Sequence, residues 1–205
     1  MAQRESTFIN MVGCLLVVTL VSGGILGFVH SKTEGAIEAA RTMEQNVAIA
    51  KVLPEFTELG KPLRLLPAEG SDSIEIFSAY KEGKMVGMAI KTYSEKGFSG
   101  NITMMAGLDT LGNLTGYEIL QHKETPGLGS KMGTWFRNPD KPNQNVIGKN
   151  FETTRFSVKK DGGDIDAITA STITSRAFLD ALKRAYSGYQ QYRPENRVSK
   201  EQLIP

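Results

Sequence analysis

Cysteine, histidine and tryptophan are scarce in this chain. Its 205 residues include one cysteine, two histidines and one tryptophan. A single cysteine excludes an internal disulfide. Cys14 falls in an apolar run, so we expect its side chain to contribute to packing and to have no chemical role. A lone histidine such as His122 does not make a metal site, so we expect no metal to be bound by this chain.

The chain also lacks a strong charge of either sign. Its formal net charge is +2, and charged residues make up 22% of it. A nucleic-acid-binding protein usually carries a marked basic patch, so no nucleic-acid partner is expected. Hydrophobic residues make up 40% of the chain, which is ordinary for a folded protein. The length allows one domain with an appendage.

Charged residues are missing altogether from residues 8–29. A helix needs about 20 mainly apolar residues to cross a hydrocarbon core of about 30 Å, and this run meets that length. A cleaved signal peptide would have a shorter apolar run and a small-x-small site, and no clear site precedes His30. We therefore predict a single transmembrane helix over residues 8–29, in contact with membrane lipid. Arg4 precedes this run, so the positive-inside rule slightly favours a location of residues 1–7 in the cytoplasm.

Residues 30–71 are predicted to form a helical stalk and a linker. Residues 31–52 are rich in alanine, a strong helix former. Leu53 precedes Pro54, and a residue before proline disfavours the α conformation, so the helix should end there. Residues 58–72 contain several prolines and glycines, which predict a linker or an irregular edge.

The middle of the chain predicts two β-hairpins. Strands are expected at residues 74–80, 85–93, 101–108 and 114–121, with turns at 81–84 and 109–113 and a loop at 94–100. Together with helices packed on the sheet, they predict an α+β domain with an antiparallel sheet over residues 72–192. Residues 193–205 are predicted to be a polar C-terminal tail.

Residues 166–175 are small and rich in hydroxyl groups, and a helical pattern follows them. Phe178, Leu182, Ala185 and Tyr189 recur at steps of four and three, so they share one face of a helix. A loop therefore enters a helix here, where unpaired backbone N–H groups and the helix dipole favour an anion. Two interpretations stay open: a phosphate-bearing ligand binds here, or a hydroxyl merely caps the helix.

The same stretch resembles the flavinylation motif of bacterial FMN-binding domains, Asp-x-x-(Ser/Thr)-Gly-Ala-Thr. Asp166, Thr169 and Thr172 match this motif, whereas Ala170 replaces the usual glycine and Ser171 the usual alanine. In that family a flavin transferase links FMN through its phosphate to the last threonine. The resemblance thus implies covalent FMN on Thr172. If the family's glycine needs a positive φ, alanine would tolerate it poorly.

A second motif of the same family, Glu-Thr-Pro-Gly-Leu-Gly, stands at residues 124–129 after a predicted strand. With both motifs in order, the resemblance covers residues 73–189 and the preceding single anchor. It is nearest to the G subunits of Rnf complexes, ferredoxin:NAD⁺ oxidoreductases that export Na⁺ or H⁺. The C subunits of Na⁺-translocating NADH:quinone reductases share both motifs and are one alternative. A membrane-anchored interaction domain that has lost its flavin is another.

The resemblance implies a role for each residue of the two motifs, and none of them is catalytic by itself. Thr172 would carry the FMN, and the phosphate cradle would consist of Thr169, Ala170, Ser171, Ile173 and Thr174. The loop against the flavin ring or ribityl chain would consist of Glu124, Thr125, Pro126, Gly127, Leu128 and Gly129. Lys131, Met132 and Trp135 are further candidates to line the ring, although Trp135 is equally well explained as a half-buried core aromatic.

The resemblance also implies partners and a location. The partners are the other membrane subunits of the complex and, during maturation, a flavin transferase. The location is the bacterial inner membrane, which the chain crosses once, with the globular domain on the extracytoplasmic side.

Overall fold

The structure is a computed structural model that describes residues 8–67, 70 and 72–193. It divides into two compact units between Glu44 and Gln45. The predicted cytoplasmic segment 1–7 and residues 194–205 of the predicted tail lie outside the described residues.

The described part of the chain begins with one long helix, α1, from Phe8 to Val52. Residues 8–29 and 31–52, which the sequence predicts as an anchor and a stalk, are parts of this one helix. It is long and apolar enough to cross a membrane. The helix ends at Val52, just before Leu53 and Pro54, as the proline predicts.

Six antiparallel strands form a single sheet in the second unit. Its strands are β1 (Glu58–Leu59), β2 (Leu63–Leu65), β3 (Ile74–Lys81), β4 (Lys84–Gly97), β5 (Gly100–Asp109) and β6 (Leu114–Gln121). Strands β3 to β6 follow one another in space as in sequence, and both β1 and β2 pair with β3. The predicted antiparallel sheet and the turns between β3 and β4 and between β5 and β6 are confirmed.

Two segments differ from the prediction. Residues 58–72, expected as a linker or an irregular edge, add β1 and β2 to the edge of the sheet. The loop predicted at residues 94–100 is wrong, because β4 runs on to Gly97 and pairs with Gly100. Only Phe98 and Ser99 remain between the two strands. Glycine is a weak strand former, so the sequence of this segment does not predict that β4 extends to Gly97. Pairing with β5 stabilises the extension.

The last helix in the described part of the chain, α3 (Thr172–Tyr192), packs on one face of the sheet. Its residues Phe178, Leu182, Ala185 and Tyr189 are all buried, as their spacing predicts. The Phe178 ring stacks on Phe136 with a centroid distance of 4.3 Å. The opposite face of the sheet is covered by the end of α1, whose buried residues Ala48, Ile49 and Val52 pack against apolar side chains of β3, β4 and β5.

The connection from β6 to α3 is mostly irregular. It contains a 3-10 turn at Gly129–Lys131, the four-residue helix α2 (Met132–Trp135) and a second 3-10 turn at Lys159–Asp161. The phenol of Tyr117 on β6 donates to the Met132 carbonyl at 2.8 Å. This hydrogen bond holds the connection against the sheet just after residues 124–129.

Candidate functional site

A tight turn precedes α3. Its closing hydrogen bond runs from the Ser171 N–H to the Ile168 carbonyl at 3.0 Å. Ala170 is the third residue of this turn and has a φ of 61°, in the left-handed region. A type II turn requires positive φ at this position and normally has glycine there. The alanine that replaces the family's glycine therefore occupies the conformation that glycine adopts freely.

Two hydroxyl groups at the start of α3, those of Thr174 and Ser175, have partners other than the first N–H groups of the helix. Ser175 Oγ accepts from the Ile168 N–H and donates to the Ser171 carbonyl, both at 2.9 Å. Ser171 occupies the N-cap position, but its side chain makes no capping hydrogen bond. Thr174 donates elsewhere, to Glu124. The simple-cap interpretation is therefore wrong, and the first backbone N–H groups of α3 keep their capacity for an anion.

Glu124 joins three parts of the site. Its side chain is buried, with the residue only 4% exposed. Oε2 accepts from Thr174 Oγ1 at 2.5 Å, and Oε1 accepts from the Ser99 N–H at 2.9 Å. We call this arrangement the Glu124 clamp. It ties the tip of the β4–β5 hairpin and the first turn of α3 to the start of the 124–129 loop.

Two glycines leave room for the Glu124 clamp. A Cβ on Gly129 would lie 2.6 Å from Glu124 Oε2 and 2.8 Å from Thr174 Oγ1. A Cβ on Gly97 would lie 2.9 Å from Glu124 Oε1 and 2.2 Å from the Gly100 carbonyl oxygen. Real Cβ atoms do not approach other atoms so closely, so a side chain at either position would displace the carboxylate.

The 124–129 loop is held by its own backbone. The N–H groups of Leu128 and Ser130 both donate to the Thr125 carbonyl, at 3.2 and 3.3 Å. Gly127 has a φ of 76°, and its N–H donates to Ser130 Oγ at 2.9 Å. The loop therefore has a defined shape.

The two motifs line one cleft of about 350 Å³, together with the β4–β5 hairpin tip. Its lining residues are Phe98, Glu124, Thr125, Leu128, Gly129, Ala170, Ser171, Thr172, Ile173 and Thr174. Nine of them belong to the predicted site, so folding brings together segments that are far apart in sequence. The predicted residues Thr169, Pro126 and Gly127 are not among the lining residues. Phe98 was missed, and its only sequence signal is an aromatic residue between two glycines.

Lys131 and Trp135 are also not among the lining residues. Trp135 Nε1 instead donates to the Asp166 carbonyl at 3.1 Å, and its half-buried ring packs against the core. This contact favours the core interpretation of Trp135. The Asp166 carboxylate pairs with Lys159 Nζ at 2.9 Å. Trp135 and Lys159 thus hold the loop that leads to the Ala170 turn.

The β4–β5 hairpin is also fixed by side chains that lie just before its tip. Ser94 Oγ and Lys96 Nζ donate to the Asp180 carboxylate on α3 at 2.8 and 2.7 Å. Burial raises the pKa of Asp180, but the hydrogen bonds from Lys96 and Ser94 and the positive charges of Lys96 and Arg184 outweigh it. The net effect is a pKa below the ordinary value. The carboxylate form therefore ties the hairpin to α3 at neutral pH.

Comparison with known proteins agrees with the family resemblance of the two motifs. Residues 97–187 match the FMN-binding domain family. The chain is 31% identical over 190 residues to the G subunit of the ion-translocating oxidoreductase complex of Shewanella oneidensis, with 88% of this chain and 89% of that protein covered. It is 33% identical over 173 residues to the corresponding G subunit of Salmonella typhi, with 80% and 82% covered. It is 32% identical over 190 residues to that of Cronobacter sakazakii, with 88% and 89% covered. The chain therefore belongs to the family of G subunits of ion-translocating oxidoreductase complexes and contains an FMN-binding domain.

Proposed function

We propose that this protein is the electron-carrying flavoprotein subunit of a membrane-bound Rnf-type complex, with FMN attached through a phosphoester to Thr172. The complex would pass electrons from reduced ferredoxin to NAD⁺, which oxidises the ferredoxin and reduces NAD⁺ to NADH, and would couple this transfer to translocation of Na⁺ or H⁺. The observation that carries the proposal is the cleft in which Thr172 meets the 124–129 loop. Neither segment would form such a site alone.

The start of α3 suits the phosphate of FMN. Thr172 is the first residue of the helix, and its half-buried side chain lines the cleft. The first N–H groups of a helix have no intrahelical acceptor, and the dipole there stabilises negative charge. A phosphoester on the Thr172 oxygen would lie beside these N–H groups. Ser171 and Ile173 flank this position within the proposed cradle.

Thr172 is also a better acceptor than its neighbour Thr174. Thr174 is buried, and its hydroxyl already donates to Glu124. Attachment there would break the Glu124 clamp and leave a buried carboxylate oxygen without a donor, which is costly. The structure therefore supports the residue that the motif indicates.

The rest of the cleft suits an apolar planar ring. Its volume of about 350 Å³ falls within the usual range of cofactor sites, about 300–1,000 Å³. Phe98, Leu128 and Ile173 contribute apolar surface. Thr125 and Gly129 of the 124–129 loop line the same cleft. We propose that the loop from Glu124 to Gly129, including Pro126 and Gly127, positions the ring and the ribityl chain.

FMN supplies reversible electron uptake and release, which ordinary side chains do not provide. The residues at the start of α3 would hold the phosphate, and the lining of the cleft would exclude water from part of the ring. Covalent attachment serves a carrier that lies outside the cytoplasm. A micromolar site holds its ligand with only about 8 kcal/mol, and a ligand released into an unlimited volume is lost.

We further propose that residues 8–29 of α1 cross the inner membrane once, with residues 1–7 in the cytoplasm. The FMN-binding domain would then lie on the extracytoplasmic side, next to the other membrane subunits of the complex. Most exposed side chains of this part of α1 are apolar, including Leu20 and Leu26, which suits contact with lipid. Maturation would require a flavin transferase on the same side.

The test is the intact mass of the full chain, co-expressed with a flavin transferase. A matched pair of variants removes one hydroxyl each: Thr172→Ala in the cleft and Ser187→Ala on the exposed side of α3. We expect an increase equal to FMN minus water in the wild type and in Ser187→Ala, and no increase in Thr172→Ala. The chain should also co-purify with integral membrane subunits.

Three results would contradict the proposal. An increase that persists in Thr172→Ala would show that another residue carries the FMN. No increase in any of the three proteins would favour the alternative of an anchored domain that has lost its flavin. Co-purification with the subunits of a Na⁺-translocating NADH:quinone reductase would favour the other alternative.

A further inference from the structure

We propose that Phe98 is a positioning residue that covers one face of the flavin ring. This inference rests on the proposed function, because it requires FMN in the cleft. It assigns a role to the tip of the β4–β5 hairpin, a segment outside both sequence motifs.

The first observation is the distribution of exposed apolar side chains. Beyond the end of α1, six large hydrophobic residues in the described part of the chain are exposed: Leu59, Leu66, Phe98, Leu111, Leu128 and Ile173. Three of these six line the same cleft, namely Phe98, Leu128 and Ile173. Single exposed apolar residues are normal, but a convergent group around a cleft indicates a ligand with apolar surface.

Phe98 is the most exposed of the three, at 67%, and the only aromatic residue among the cleft-lining residues. A phenyl ring offers a flat apolar face, and aromatic rings prefer offset-stacked or edge-to-face contacts with one another. A planar ring in the cleft would cover this exposed face. Phe98 has no hydrogen-bonding group, so it would contact the ring face without engaging the ring's polar edge.

The second observation is that the backbone under Phe98 is fixed. Phe98 and Ser99 form a two-residue turn between the paired residues Gly97 and Gly100. The Ser99 N–H donates to Glu124 Oε1, whose partner oxygen Oε2 accepts from Thr174. Phe98 is thus held in a set place relative to the first turn of α3.

The Glu124 clamp connects Phe98 to the proposed attachment point of the FMN. Thr172 lies two residues before Thr174, so one buried carboxylate positions both the attachment point and Phe98. A site that is ordered before its ligand arrives loses less conformational entropy on binding. The Glu124 clamp would therefore preorganise both ends of the flavin site, with Phe98 acting at the ring end.

The first experiment uses Phe98→Trp in the full chain, co-expressed with a flavin transferase. An indole in van der Waals contact with a flavin ring quenches its fluorescence by electron transfer, which requires contact. The matched control is Leu111→Trp, an exposed apolar position between β5 and β6 that does not line the cleft. Flavin loading of each protein is first measured by intact mass, and fluorescence is then expressed per bound flavin.

We expect a several-fold loss of flavin fluorescence in Phe98→Trp and wild-type fluorescence in Leu111→Trp. Equal fluorescence per bound flavin in both variants would overturn the role of Phe98 and leave the proposed function intact. Absence of flavin from the wild type would instead refute the proposed function itself. The two failures are therefore distinguishable.

A second readout covers the case in which the new indole alters the turn. Phe98→Ala removes the ring, and Leu111→Ala is its control. Iodide quenches flavin only by collision, so it reports how far solvent reaches the ring. We expect stronger iodide quenching in Phe98→Ala than in the wild type and no change in Leu111→Ala. Unchanged quenching in Phe98→Ala would contradict the covering role.

Discussion

Ala170→Gly should stabilise this protein, although alanine-to-glycine changes usually destabilise. Ala170 has a φ of 61° and its side chain is exposed. An L-residue in the left-handed region costs about 1–2 kcal/mol, which glycine avoids. Glycine offsets about 0.4–1 kcal/mol of this gain, because it increases the conformational entropy of the unfolded chain. The exposed methyl group makes little packing contribution, so the midpoints of these two ranges leave a net gain of about 0.8 kcal/mol.

Thermal unfolding of the full chain in detergent, without flavin transferase, measures this gain. Trp135 is the only tryptophan, and its indole N–H donates to the Asp166 carbonyl near the turn. Its fluorescence therefore reports unfolding of the domain that contains the site. For a unit of this size 1 kcal/mol corresponds to about 2–4 °C, so Tm should rise by about 1–4 °C.

The matched control is Ala177→Gly, in the interior of α3. There the backbone is helical, and glycine costs about 1 kcal/mol relative to alanine in a helix interior. The buried methyl group of Ala177 is also lost, so Tm should fall. If Ala170→Gly lowers Tm as Ala177→Gly does, Ala170 does not carry the backbone strain from which the prediction is derived.

Two further predictions concern the contacts around the cleft. Gly129→Ala places a Cβ 2.6 Å from Glu124 Oε2, so urea unfolding should show a loss of about 1–3 kcal/mol. Gly133→Ala, where a Cβ meets nothing within 4 Å, should be close to neutral, and equal losses in both would refute the steric argument. In the folded state burial raises the pKa of Asp180, but hydrogen bonds and positive charges, led by the hydrogen bond from Lys96, together outweigh it and lower the pKa. It should therefore stabilise the fold above the unfolded pKa of about 3.9, and this contribution is lost as pH falls through the folded value. The difference in unfolding free energy between the wild type and Asp180→Asn should thus be full at neutral pH and shrink in acid; a difference independent of pH would contradict it.

Much of the fold could be predicted from the sequence, because its signals are local. The uncharged run at residues 8–29 indicates a membrane helix by its length alone. The spacing of Phe178, Leu182 and Ala185 indicates the buried face of α3, since a helix repeats every 3.6 residues. The proline after Leu53 marks the end of α1. Each of these signals lies within one element and needs no partner.

The two motifs of the site were also visible in the sequence, but the role of a residue near them was not. Trp135 was a candidate to line the ring, yet its N–H donates to the Asp166 carbonyl, which only the path of the connecting chain decides. The strands β1 and β2 were not predicted because they are short and lie at the sheet edge. Their pairing with β3 stabilises them, and their own sequence does not indicate it.

The sequence by itself indicated a helix long and apolar enough to cross a membrane, the two β-hairpins, the amphipathic α3 and the residues at which FMN is expected. Only the tertiary structure decided that Glu124 contacts Ser99 and Thr174, which lie 25 and 50 residues away, and that Phe98 lines the cleft. The physical reason is that a buried carboxylate needs donors in three dimensions. Local periodicity specifies which face of an element is buried, whereas the partners of a polar group depend on how distant segments pack.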